Sequence, residues 1–171
     1  MGRVWLIALL VVLGFSVLLF LSLRPPGAGA RPAGSSHPKM GLDLPDPRLT
    51  PGDVLTRSKN EICRPGYARS VRDVPQAVKN QVYRLYGISS HAPGEYEVDH
   101  LISLQLGGSN SVKNLWPQSY KTQPYNAHVK DRLENKLHTL MCSGQISVQE
   151  AQQAIAQNWI EAYRKYVGPL P

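Results

Sequence analysis

The hydropathy pattern divides the chain sharply. Residues 4–23 are one apolar run without a charge, interrupted only by Gly14, Ser16 and Ser22. As a helix rising about 1.5 Å per residue, such a run spans roughly 30 Å, the thickness of a bilayer core. It has no polar stripe, which a helix in a soluble core would carry. Residues 1–24 therefore read as a transmembrane anchor. A second reading is a cleaved signal, since Arg3 precedes the run and the small residues Ala28-Gly29-Ala30 follow it. Residues 25–52 are dense in Pro, Gly and Ser and keep no helical or strand period, so they read as a linker. The folded domain is expected over residues 53–171.

Within that domain the period changes along the chain. Residues 75–86 carry Val78, Val82 and Leu85 on one helical face, with Val74 just ahead, Asp73 as the expected cap and Gly87 as the stop. Residues 95–102 alternate as a strand. Gly107-Gly108-Ser109-Asn110 predicts a loop, and Leu115-Trp116-Pro117 a short second strand, because Pro117 cannot donate to a ladder. A second helix is expected over 125–142, with Val129, Leu133, Leu137, Leu140 and Met141 as its buried stripe and Gly144 beyond its end. Ser147 and Glu150 form a capping box for a last helix over 148–167, whose inner face is Ala151, Ile155, Trp159, Ala162 and Tyr166. Short strands beside helices make the fold class α+β.

Composition adds a sign and a compartment. The 171 residues include 19 Lys and Arg against 12 Asp and Glu, a net charge of +7. The excess is concentrated: residues 48–84 hold eight basic and three acidic side chains. Such a stretch suits a polyanion such as nucleic acid, and is equally compatible with ordinary solvated surface. Cys63 and Cys142 are the only cysteines. In an exported chain they are expected to form a disulfide; otherwise they are two buried thiols. Two distant cysteines cannot build a four-cysteine zinc knuckle.

The chemistry-bearing residues cluster in the middle of the chain. Asp99-His100-Leu101-Ile102 is followed by Leu106-Gly107-Gly108-Ser109-Asn110 and then by Asn114-Leu115-Trp116-Pro117. This spacing resembles the HNH endonuclease superfamily, whose ββα-metal core is a hairpin and a helix around one metal ion. The run from Glu61-Ile62-Cys63 to Cys142-Ser143-Gly144 also looks like small bacterial HNH-type proteins. The resemblance implies an HNH core at about residues 95–142 with flanking helices. It further implies a divalent cation, most readily Mg²⁺, with Mn²⁺ or Zn²⁺ as alternatives.

The implied roles follow the chemistry of phosphodiester hydrolysis. His100 is the implied general base, an imidazole suited to neutral pH. Asp99 is the implied hard-oxygen ligand to the metal. Asn114 is implied to hold the loop that orients His100. The helix ligand is open between Asn126 and His128, which stand about 200° apart on a helix and so cannot both face one ion. Glu97 shares the strand face of Asp99 and is a candidate second carboxylate. Lys121, Lys130 and Arg132 could contact phosphates or be solvated charge. Tyr83, Tyr86, Tyr120 and Tyr125 could stack bases or simply pack. His138 reads as surface.

The expected function is a metal-dependent endonuclease acting on nucleic acid, DNA before RNA. It would be held on a bacterial-type membrane with its domain in the periplasm or outside the cell, or be secreted if the N-terminal segment is removed. The rival is a non-catalytic nucleic-acid or partner-binding module on a membrane stalk. It gains if neither Asn126 nor His128 faces Asp99 and His100.

Overall fold

A computed structural model describes residues 43–170. The anchor or signal expected over residues 1–24 lies outside them. Among the described residues, no helix is long and apolar enough to cross a membrane.

Five α-helices and two strands follow in order among the described residues, with two short 3-10 turns (Leu104–Leu106 and Val112–Asn114) between the strands: α1 (Lys59–Ile62), α2 (Tyr67–Val71), α3 (Gln76–Leu85), β1 (Tyr96–His100), β2 (Leu115–Ser119), α4 (Ala127–Cys142) and α5 (Val148–Tyr166). The fold is α+β. Its sheet is one antiparallel hairpin, pairing Tyr96 with Ser119 through His100 with Leu115. β2 runs two residues past Pro117, further than its proline suggested. The flanking bonds Leu101 N to Asn114 O and Tyr120 N to Glu95 O set the alternation. They put Val98 and Pro117 opposite each other at a non-hydrogen-bonded pair. The proline nitrogen therefore faces away from β1 and costs no ladder bond.

Two cores meet at the end of β1. One gathers Ile62, Tyr67, Ile102 and Leu106 with the inner faces of α4 and α5. The other gathers Val82, Tyr86, Ile88, Leu101, Leu115 and Trp116. Leu101 and Ile102 are neighbours in sequence but belong to different cores. This split pins the chain immediately after Asp99-His100.

The helix ends show which local signals prevailed. Ser147 caps α5 as its capping box predicts, accepting from the Glu150 N–H at 3.0 Å. Asp73 does not cap α3; Pro75 occupies the cap position with no side-chain bond. Pro75 is itself extended and the helix begins only at Gln76, three residues beyond Asp73, in keeping with the bias of a residue before proline away from helix. Gly144, at φ 82°, closes α4 with its N–H on the Met141 carbonyl. α5 is not continuous: Asn158 is non-helical, and its Oδ1 accepts from Ile160 and Glu161 N–H, recapping the helix beyond the break.

The folded body begins earlier than Asp53. Residues 43–52, assigned by composition to the linker, are packed onto it. Thr50 is buried, with its hydroxyl donating to the Leu115 carbonyl. The Trp159 indole donates to the Asp43 carbonyl at 2.7 Å. Proline-rich backbone needs few internal bonds, so it can lie along a surface prepared by distant residues. Composition cannot show that surface.

Candidate functional site

The site is built around the turn between β1 and β2. Asn114 is fully buried at its base. Its Nδ2 donates to the carbonyls of Ile102 and Ser109, at 2.9 and 2.8 Å. Its Oδ1 accepts from the N–H groups of Ile102 and Asp53, at 2.9 and 3.3 Å. One side-chain amide thus ties both ends of the 102–109 loop in a place where loose backbone groups would be unsatisfied. Gly108 makes this approach possible. A Cβ there would overlap the Ile102 carbonyl oxygen and stand 2.9 Å from Asn114 Nδ2. Gly108→Ala should therefore displace the loop and cost roughly 2–3 kcal/mol, the upper range for overpacking. Urea unfolding checks this; an unchanged midpoint would show that the loop can give way.

His100 is only 3% exposed. Its Nε2 lies 3.0 Å from Asn110 Oδ1. The orientation of that amide is fixed from behind, since Asn110 Nδ2 donates to the Val71 carbonyl at 2.7 Å. An oxygen facing His100 can only accept, so the network assigns the ring proton to Nε2. Nδ1 is left as the ring's free lone pair. Burial pulls the imidazole below its usual pKa, partly offset by the Asn110 bond and the Asp99 charge. A neutral ring with one open nitrogen is the form a general base needs.

His100 lines a cleft of about 170 Å³ together with the carboxylates of Glu97, Asp99, Asp131 and Glu134. Arg72 and Ser103 line it as well. Ser103 is 4% exposed, and its hydroxyl has no hydrogen-bond partner. Burial, and next the Asp99 charge, push both Glu97 and Asp131 above the usual carboxylate range. Glu97 accepts a 2.8 Å bond from the Tyr120 hydroxyl. Burial and that bond to the carboxylate push the phenol up to about 12, so Tyr120 stays a donor.

The helix side of the cleft differs from expectation. Lys130, which the sequence offers as a phosphate contact or a solvated charge, is neither: it is 1% exposed with its ammonium fully engaged by protein groups. Its ammonium donates to the His100 carbonyl at 2.8 Å and contacts Asp99 Oδ2 at 2.7 Å and Glu134 Oε1. Burial works against the ammonium, but the Asp99 and Glu134 charges outweigh it and hold its pKa above the usual lysine value. Asn126 and His128 are not brought to Asp99 and His100. Asn126 caps α4, its Oδ1 accepting from Val129 N–H at 3.2 Å. His128 is exposed, beside the Tyr120 ring and 3.9 Å from Asp131. Both line a separate surface hollow with Gln123 and Arg132. The helix starts at Ala127, which brings Lys130 round to Asp99 and the end of β1 and leaves the two predicted candidates outside.

The cysteines form the Cys63–Cys142 disulfide, with Cα atoms 5.7 Å apart. His138 is half-buried beside it, Nε2 3.5 Å from Cys142 Sγ. Cys63, His138 and Cys142 present ligand atoms within 4.8 Å of one another, a group that could hold a metal ion. Its two sulfurs are available as thiolates only when the disulfide is open. Among the described residues no other three such side chains converge this closely. The cleft carboxylates are more widely spread.

Asn110, Ser103, Asp131 and Glu134 receive no role from the sequence, and Lys130 only that of a phosphate contact or solvated charge. One signal was available for two of them. Lys130 and Glu134 stand four apart and continue to Leu137 and Met141 on a buried face. Opposite charges at that spacing, inside an apolar stripe, mark a buried ion pair. No protein-family model, curated protein or solved structure matches this chain.

Proposed function

We propose that the domain is a metal-dependent HNH-type endonuclease that hydrolyses phosphodiester bonds, with DNA as its substrate. The observation that carries this reading is the His100 ring. Its proton is held on Nε2 by Asn110, its Nδ1 is free, and it lines a carboxylate-walled cleft. The β1–β2 hairpin followed by α4 is the order of elements that a ββα core requires. Asn114 ties the intervening loop, the role that the resemblance implies for it.

In the proposed reaction His100 Nδ1 takes a proton from water as the oxygen attacks phosphorus. The P–O3′ bond breaks and the leaving O3′ takes a proton from solvent water, giving a 5′-phosphate and a 3′-hydroxyl. Arg72, exposed at the cleft, offers positive charge to the phosphate. The donor set fits a hard cation: carboxylate oxygens and the unpartnered Ser103 hydroxyl. Mg²⁺ needs only one or two protein ligands, so tight convergence of the carboxylates is not required. Asp99 would hold the ion through Oδ1, because Oδ2 is engaged by Lys130 and by the Trp116 indole. Such an ion would polarise the phosphate and stabilise the leaving oxygen.

The disulfide supports an oxidising compartment, and with it presentation of the domain in the periplasm or outside the cell. Nicking of supercoiled plasmid by the full chain in detergent tests the activity, with Mg²⁺, Mn²⁺, Zn²⁺ or chelator. Cleavage restored by one metal and abolished by chelator is expected. The rival, a non-catalytic binding module, is favoured by one observation: Asn126 and His128 are off the cleft and Lys130 occupies the helix side. Plasmid binding without cleavage in every metal would establish the rival.

A further inference from the structure

We propose that Lys130 is a positioning residue, a built-in cation that locks the Asp99-His100 pair in its working geometry. The inference rests on the nuclease reading above and names a residue that the HNH resemblance does not supply.

The geometry is saturated. An ammonium has three donors, and Lys130 meets three acceptors: Asp99 Oδ2, the His100 carbonyl and Glu134 Oε1. At 1% exposure it has no donor left for a phosphate in the cleft. It therefore acts through its neighbours. Two of its three partners are consecutive residues at the end of β1, one held by side chain and the other by backbone. Holding the His100 carbonyl fixes the peptide that carries the ring. Holding Asp99 Oδ2 decides which oxygen of that carboxylate faces the cleft.

An apolar residue could fill the same space. Buried ion pairs are often matched in stability by apolar replacements of similar volume. An apolar side chain would bond neither the Asp99 oxygen nor the His100 carbonyl. The expensive charge is thus explained by orientation and not by stability.

Lys130→Met alone leaves Asp99 and Glu134 buried without a counter-charge and invites unfolding. The decisive variant is the double Lys130→Met/Glu134→Gln, which removes one charge of each sign. We expect the full-length double variant to melt within a few degrees of the parent. Its kcat for plasmid nicking should fall at least about 100-fold, with KM within about twofold, because a misaligned base is lost to the chemical step and not to binding. The second readout needs no activity. At pH 8 the His100 ring of the parent should give one protonated and one bare nitrogen in long-range ¹⁵N–¹H spectra. In the double variant the two signals should move together as tautomers mix.

A double variant with parental kcat and parental ring nitrogens would overturn the proposal and leave Lys130 a structural ion pair. If the parent itself cuts nothing, the nuclease reading fails. The ring spectrum then still decides whether Lys130 positions His100.

Discussion

His100→Ala should reduce plasmid nicking by about 10²–10⁴-fold while the protein still binds metal. That is the range over which general-base help is lost, about 3–5 kcal/mol in the barrier. The physical ground is the Asn110 relay. It fixes the ring proton on Nε2 and leaves Nδ1 as the only nitrogen able to accept from water. Alanine supplies no acceptor, and on the proposed reading Asp99 would still offer its oxygen to the ion. Calorimetric Mn²⁺ titration should therefore change little. Asp99→Ala should show the reverse order, losing metal affinity first.

The pH profile carries the same signature. The charges closest to His100 are Asp99, which favours the imidazolium, and Arg72 and Lys130, which oppose it. Burial dominates and holds the pKa below the usual imidazole value, so an enzyme that uses His100 as its base would keep the ring neutral further into acid. Its rate should fall only as pH drops below about 6.5, where an ordinary imidazole would already be half protonated. A His100→Ala chain that nicks as fast as the parent would overturn the assignment of the base and return the domain to the binding-module reading.

Opening the disulfide should be the most destabilising change outside the cleft. Cys63 and Cys142 are 79 residues apart, joining the end of α1 to the last residue of α4. In the chain-entropy account, closing a loop of that length limits the unfolded state by about 4.5 kcal/mol. For a domain of this size that corresponds to roughly 15 °C in melting temperature. Melting with and without reductant, and of Cys63→Ser/Cys142→Ser, should show a drop of this order. Non-reducing mass spectrometry of protein recovered from an oxidising compartment should show the cross-link. Two free thiols there would remove the argument for export that the disulfide supplies.

Much of the architecture was legible in the sequence because its signals are local. The Ser147/Glu150 box, the Gly144 stop and the apolar stripes of α4 and α5 depend on neighbours within a turn or two. The alternation of residues 95–102 predicted β1 and placed Glu97 and Asp99 on one face. The dipeptide Asp99-His100 and the buried Asn114 stood out through the HNH resemblance that their spacing carries, and the cysteine count sufficed to suggest the disulfide.

What the tertiary structure decided were the partners. Asn110 closed the Leu106–Asn110 run of the resemblance but carried no role of its own. Its role comes from Val71, which is far away in sequence and turns the amide toward His100. Lys130 stood in the sequence with Lys121 and Arg132 as a phosphate contact or a solvated charge. It became the most buried charge of the site because α4 begins at Ala127 and packs against the end of β1. The same start of α4 made Asn126 a cap and left His128 in solvent. Residues 43–52 joined the fold for a like reason, since Trp159 and Leu115 offer the bonds they take up. Propensity and period act over a few residues and can be read from the chain. Which charge is buried, and which ring nitrogen stays free, depends on groups that meet only after the two cores have closed.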